Sequence, residues 1–225
     1  MSQNSVIIVA GGTGSRMNQV LPKQFTLICN QPVLVHTIRA FLSFDSNIKI
    51  ILALPENHIE TWKSIQDKFL SEISIRTVIG GKTRFQSVKN GLKLVAEGIV
   101  AIHDAVRPCI DSNTIGDSFE SAKDHGSGVV CVPLKDSIRQ VFGESSKSLN
   151  RVDYKTVQTP QTFQVSLIKK AFEAREEPFF TDDASVYEYA LNKEVRLVNG
   201  NYTNIKITTP EDLDIATLFL KNKKT

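Results

Sequence analysis

The stretch with most chemical promise comes early, where the apolar run Val6 to Val9 leads into Ala10-Gly11-Gly12-Thr13-Gly14-Ser15-Arg16-Met17 and then Leu21-Pro22-Lys23-Gln24. A glycine-rich turn after a strand lets backbone N–H groups approach phosphates closely. Arg16 and Lys23 add positive charge beside it, and Pro22 restricts the backbone before Lys23, which suits a side chain that must be aimed. The dinucleotide fingerprint and the Walker A loop both fail on spacing. The expected ligand is a triphosphate; the competing reading is a tight turn with solvated basic residues.

Further constellations recur downstream. In Gly80-Gly81-Lys82-Thr83-Arg84-Phe85-Gln86-Ser87-Val88, backbone groups around Gly81 and the Ser87 hydroxyl could read the amino donor and carbonyl acceptor of a pyrimidine. Thr83 as the N-cap of a following helix accounts for the same residues without a ligand. In His103-Asp104-Ala105-Val106-Arg107-Pro108, Asp104 ends an apolar run, where an acid can hold a metal, a ribose hydroxyl or a lysine. Arg107 could pair with Asp104 or with the C-terminal segment, and His103 is given no part in proton transfer. Arg151 with Thr159-Pro160-Gln161-Thr162-Phe163 reads as a site loop or an ordinary one, and Thr181-Asp182-Asp183-Ala184-Ser185 as a site or an N-cap. Lys206, read in an apolar-flanked strand, calls for an anion such as phosphate.

Elements must hold these groups in place. β-branched runs alternate with helical periodicity, the pattern of βαβ units in an α/β fold with a mainly parallel sheet. Strands are expected at Val6–Ala10, Lys49–Leu54, Ser74–Ile79, Ile99–Ile102, Val129–Val132 and Val195–Val198. Helices are expected at Val33–Phe41, His58–Phe69, Phe85–Val95, Thr114–Ala122, Val165–Ala174 and Pro210–Lys221, the last opened by Thr209 as N-cap. One region breaks the alternation: Ser137–Phe142 and Leu149–Gln158 flank the polar turn Gly143–Ser148 and read as a long hairpin arm, about residues 137–158, suited to dimerisation.

A chain of 225 residues accommodates one α/β domain, taken here as 1–225 including the arm. The net charge of +3 comes from scattered Lys and Arg, which argues against a nucleic-acid partner. No apolar run is long enough for a bilayer, and Met1 to Ser5 does not read as a signal peptide. Cys29, Cys109 and Cys131 are odd in number and widely spaced, which fits reduced thiols in the cytoplasm.

In this order the segments closely resemble the 2-C-methyl-D-erythritol 4-phosphate cytidylyltransferases, over almost the whole chain. The resemblance rests on the Gly-rich loop, Leu-Pro-Lys-Gln, Gly-Gly-x-x-Arg, His-Asp-Ala-x-Arg-Pro, Thr-Pro-Gln-x-Phe and Asn-Ile-Lys-Ile-Thr. It implies a Rossmann-like sheet of the nucleotidyltransferase type, CTP and a small polyol phosphate as substrates, a homodimer, and Mg2+ held largely by the triphosphate. It implies that Arg16 and Lys23 neutralise the phosphates and the pentavalent transition state, with Lys206 at the α-phosphate. It further places the backbone of the Ala10, Gly11, Gly12, Thr13, Gly14 loop, Gly81, Ser87 and Asp104 around the nucleotide. Asp104, Arg107 and Thr181 would border the acceptor pocket, while Arg151 and Thr159 would reach the acceptor across a dimer interface. The rivals are a ribitol-5-phosphate cytidylyltransferase, a sugar-phosphate nucleotidyltransferase and an inactive nucleotide-binding module. Two departures from the family pattern are Asp136-Ser137, where Asp-Thr is usual, and Lys82, where an acidic or small polar residue is common.

Overall fold

In the computed structural model, which describes residues 4–11 and 22–222, the chain winds through a central sheet. Its first half holds β1 (Asn4–Val9), a small ladder of β2 (Leu27–Ile28) with β3 (Gln31–Pro32), α1 (Val33–Phe44), β4 (Lys49–Leu54), α2 (Ile59–Phe69), β5 (Ile75–Ile79), α3 (Arg84–Leu92) and β6 (Ile99–Asp104). The second half holds α4 (Ser112–His125), β7 (Ser127–Pro133), β8 (Ile138–Phe142), β9 (Ser145–Leu149), β10 (Lys155–Gln164), α5 (Val165–Ala171), α6 (Asp183–Leu191), β11 (Leu197–Asn199) and α7 (Pro210–Asn222). The sheet has the order β11-β7-β10-β6-β1-β4-β5. The pairs β1–β4, β1–β6, β4–β5 and β7–β11 are parallel, and β10 runs antiparallel to both β6 and β7.

Strands covered on both faces are apolar at successive positions, because each pleat direction meets a helix layer. Val6 and Ile8 pack with Ile50, Leu52 and residues of α1, α2 and α4, among them Phe41, Trp62 and Phe119. Ile7 points the other way, with Ile51, Val100 and Ile102, onto α3, α5 and α6. A third cluster seats α7, through Ala216 and Leu220, against Ile28, Val33, Val106 and Ile207. The α4 helix is closed at both ends by side-chain and backbone chemistry: the Asp111 carboxylate accepts from Thr114 N, and Gly126 supplies the left-handed φ of 90° after the last turn. At α7, the Asp212 carboxylate accepts from Thr209 N at 2.8 Å, the reciprocal half of a capping box with Thr209 at the cap.

Three expectations from the sequence are corrected. The arm is a short hairpin of β8 with β9, and the stretch read as its second half divides: Arg151–Asp153 forms a single 3-10 turn, after which β10 enters the main sheet. Thr159 to Phe163, read as a loop, lies within β10; the β7–β10 register shifts between Val157 and Gln161, so Pro160 sits where no ladder bond is required. The N-cap reading of Thr181 to Ser185 holds, with Asp182 as the cap that opens α6. Lys206 lies in an irregular segment, not a strand. Among the described residues no helix is long and apolar enough to cross a membrane.

Candidate active site

The carboxyl edge of the parallel strands gathers the candidate groups, as expected for an open α/β sheet. β1 ends beside β6 with Val9 opposite Asp104, and Ala10 N donates to Ala53 O of β4. The single 3-10 turn Lys23–Phe25 is fastened there, since the buried Gln24 amide donates to Ala10 O at 3.1 Å. Half-buried Lys23 is thereby carried to the end of β1 beside its neighbour Gln24. Gly12, Thr13, Gly14 and Arg16, the rest of the expected phosphate loop, lie outside the described residues.

The turn from β5 to α3 closes one flank. Gly80 N donates to Leu54 O at 2.7 Å, and Thr83 is the N-cap, accepting from Gln86 N. The Ser87 hydroxyl is buried and shapes the turn: it accepts from Gly81 N at 3.1 Å and donates to Thr83 O at 2.9 Å. A Cβ on Gly11 would stand 3.5 Å from Ser87 Oγ, so the tip of β1 and this turn face each other at van der Waals range.

Asp104 is the electrostatic centre. Lys206 Nζ lies 2.9 Å from its carboxylate, Arg84 Nε 3.5 Å and Arg107 Nε 3.6 Å. Burial works to raise the Asp104 carboxyl, but Arg84, Lys206 and Arg107 outweigh it and hold it far below the usual carboxylate range. Arg84 also grips Asp183 of α6 with two bonds of 2.7 Å. Burial disfavours the Arg84 cation, yet Asp183 and Asp104 prevail and hold its proton more firmly than in water. Arg107 is pulled below its ordinary value by burial, against the attraction of Asp104, and its Nη1 donates to Asn204 O at 2.8 Å. That bond ties the segment carrying Lys206 to the β6 edge.

His103 and Thr159 stand behind Asp104. His103 Nε2 meets Arg107 O at 3.2 Å, so it carries the proton; Nδ1 then accepts from the Thr159 hydroxyl at 3.1 Å, and Thr159 Oγ1 accepts from Asp104 N at 3.1 Å. Every partner suits a neutral imidazole, and burial takes the His103 pKa down to about 4. Thr159 is itself buried, so its side chain serves the Asp104 backbone. Arg151 is apart from this group, exposed on the 3-10 turn after the arm with Nη1 donating to Lys135 O. Thr181 is exposed just before the Asp182 cap of α6.

The structure thus joins Lys23, Gly11, Gly81, Ser87, Asp104, Arg107 and Lys206 at one edge, with Thr159 behind it. It also adds Arg84 and Asp183, which the sequence reading quoted within motifs without assigning. The signal was present in the Gly-Gly-x-x-Arg spacing and the Asp pair, but the partnership of residues so far apart in the chain is a property of the fold.

A mainly parallel sheet with one antiparallel insertion and a lysine- and arginine-rich carboxyl edge defines a nucleotidyltransferase of the α/β type. Within that class, residues 5–222 match the family model IspD, 2-C-methyl-D-erythritol 4-phosphate cytidylyltransferase, and the chain belongs to this family. A Bacteroides thetaiotaomicron protein named 2-C-methyl-D-erythritol 4-phosphate cytidylyltransferase is 45% identical over 219 residues, 97% of this chain and 100% of that one. A Porphyromonas gingivalis protein of the same name is 43% identical, over 95% of this chain and 96% of its own. Among solved structures, 4-diphosphocytidyl-2C-methyl-D-erythritol synthase from Anaerococcus prevotii superposes with a TM-score of 0.82 at 28% identity, covering 98% of this chain and 96% of that one.

Proposed function

We propose that this protein transfers the cytidylyl group of CTP to 2-C-methyl-D-erythritol 4-phosphate, releasing pyrophosphate, in isoprenoid precursor biosynthesis. The observation that carries the reading is the match to the cytidylyltransferase family across residues 5–222. The gathering of Lys23, Lys206 and the Gly81–Ser87 turn at the carboxyl edge of the sheet gives it a chemistry. An acceptor phosphate oxygen, already anionic, attacks the α-phosphorus in line; the new P–O bond forms as the bond to the β-phosphate oxygen breaks. Such a step needs positioning and charge neutralisation more than acid–base catalysis. In this reading Lys23 and Arg16 are assigned to the phosphates, and Lys206 to the charge growing at the α-phosphate. Asp104 holds the Lys206 amine in place beforehand, and the buried Arg84–Asp183 pair holds Asp104.

Among the described residues no group of three His, Cys, Asp or Glu side chains could hold a metal ion, and Asp104 is already compensated by cations. We therefore assign Mg2+ to the triphosphate oxygens, where it would screen their charge. We place the reaction in the cytoplasm, with Cys29, Cys109 and Cys131 outside any disulfide. The working unit we infer is a homodimer, with Arg151 of one chain and Thr181 of the other near the acceptor. Exposed Val141, Phe142 and Val152 around the arm support this, being apolar area that a second subunit would cover.

A pyrophosphate-release assay tests the reading: CTP with methylerythritol phosphate should turn over, and ribitol 5-phosphate should not replace it. Preference for ribitol 5-phosphate would overturn the acceptor assignment while leaving the cytidylyl transfer intact.

A further inference from the structure

We infer that Gln86 and Glu176 are positioning residues that set base selectivity, by locking the peptide at the tip of the Gly80–Thr83 turn; the inference rests on that turn being the base-reading one. The Gln86 side chain folds back over the turn so closely that a Cβ on Gly81 would lie 2.2 Å from Gln86 Cβ. Its Oε1 accepts from Lys82 N at 3.0 Å, and its Nε2 donates to Glu176 Oε2 at 2.9 Å. Glu176 is half-buried between α5 and α6, on a segment whose Phe180 ring stacks on Phe85, the neighbour of Gln86, with centroids 5.9 Å apart.

These two bonds leave the amide one orientation. A carboxylate only accepts, so Glu176 forces the NH2 of Gln86 towards itself and the oxygen towards Lys82 N. The Gly81–Lys82 peptide is trans, so fixing its N–H towards Gln86 aims the Gly81 carbonyl the opposite way, off the helix. Cytosine presents an amino donor where uracil presents a carbonyl acceptor. A carbonyl held in that direction accepts from the first and repels the second. If the amide turned over, the peptide would lose its acceptor and could rotate to offer its N–H. The relay from Glu176 to Gln86 to the peptide therefore discriminates CTP from UTP without either side chain touching the base.

The test is steady-state kinetics with both nucleotides on four proteins: unaltered, Glu176→Ala, Gln86→Glu, and Gln86→Glu combined with Glu176→Gln. Glu176→Ala should lower the ratio of kcat/KM for CTP over UTP about tenfold, chiefly through KM for CTP, with kcat changed less than about twofold. Gln86→Glu sets two carboxylates against each other and should do the same. The double substitution reverses donor and acceptor across the pair and should restore the ratio. Retained selectivity in both single variants would overturn the proposal. So would a loss that the double variant fails to repair, since a packing role alone predicts no such rescue. Equal use of CTP and UTP by the unaltered enzyme would overturn the base-reading turn itself, and the relay with it.

Discussion

Lys206, Arg84 and Arg107 all converge on one carboxylate, while Lys23 is brought in separately by Gln24, and the two arrangements answer differently to mutation. On the proposed function, Lys23→Ala removes a charge assigned to the phosphates. Single-turnover rates at saturating CTP should fall about a hundredfold or more; an unaltered rate would show that Lys23 takes no part in the chemistry. His103 speaks instead through stability. Its pKa is about 4 in the folded protein and about 6.5 unfolded, so between those values the unfolded chain binds the extra proton. The sign follows: stability is intact above about pH 6.5 and is lost as pH falls towards 4, by up to about 1.4 kcal/mol per pH unit. Urea unfolding at pH 7, 6 and 5 reads this window before most carboxylates titrate, and a flat profile would mean that the buried imidazole titrates as in water.

At the scale of elements, β10 is what distinguishes this sheet from a plain parallel one. Its bulge at Gln158 to Pro160 turns the Thr159 hydroxyl onto Asp104 N and His103. Thr159→Val keeps the shape and strands both of those groups without a partner, at a cost of about 2 kcal/mol. Thr159→Ser should recover most of that in urea melts and recover kcat with it. The parallel strands were legible beforehand because burial on both faces demands unbroken apolar runs such as Val6 to Val9 and Ile99 to Ile102. β10 was legible only in its first part, read as the end of the arm up to Gln158, because Thr159 to Thr162 is polar around Pro160 and is held by the hydrogen bonds of a bulge. α6 was hidden for a related reason: Asp183 opens it as a buried acid, tolerable only because Arg84, on another helix, meets it there. The lysines and Asp104 could be read from type and spacing; the Arg84–Asp183 brace that steadies them could not.

For the molecule as a whole, the arm and the carboxyl edge lie on different parts of the chain, which makes a shared site testable by mixing. If Lys23 and Arg151 of one functional site come from two subunits, combining Lys23→Ala with Arg151→Ala chains gives mixed dimers with one doubly defective site and one intact site. Random exchange should restore activity to about a quarter of all sites; no recovery would show that both residues act within one chain. The strand order also bears on how such a chain is made. Of the strands described, β1, β4, β5 and β6 pair among themselves, and all have left the ribosome once Asp104 emerges. β7 has no such early partner, because its two neighbours, β10 and β11, are both synthesised after it. From Pro133 until Lys155 and beyond, translation therefore holds out an apolar strand, with Val129 and Val130 at its centre and both edges open. A pause or premature stop within the arm is consequently where a nascent chain of this family member is most open to chaperone capture or to pairing with a neighbouring polypeptide.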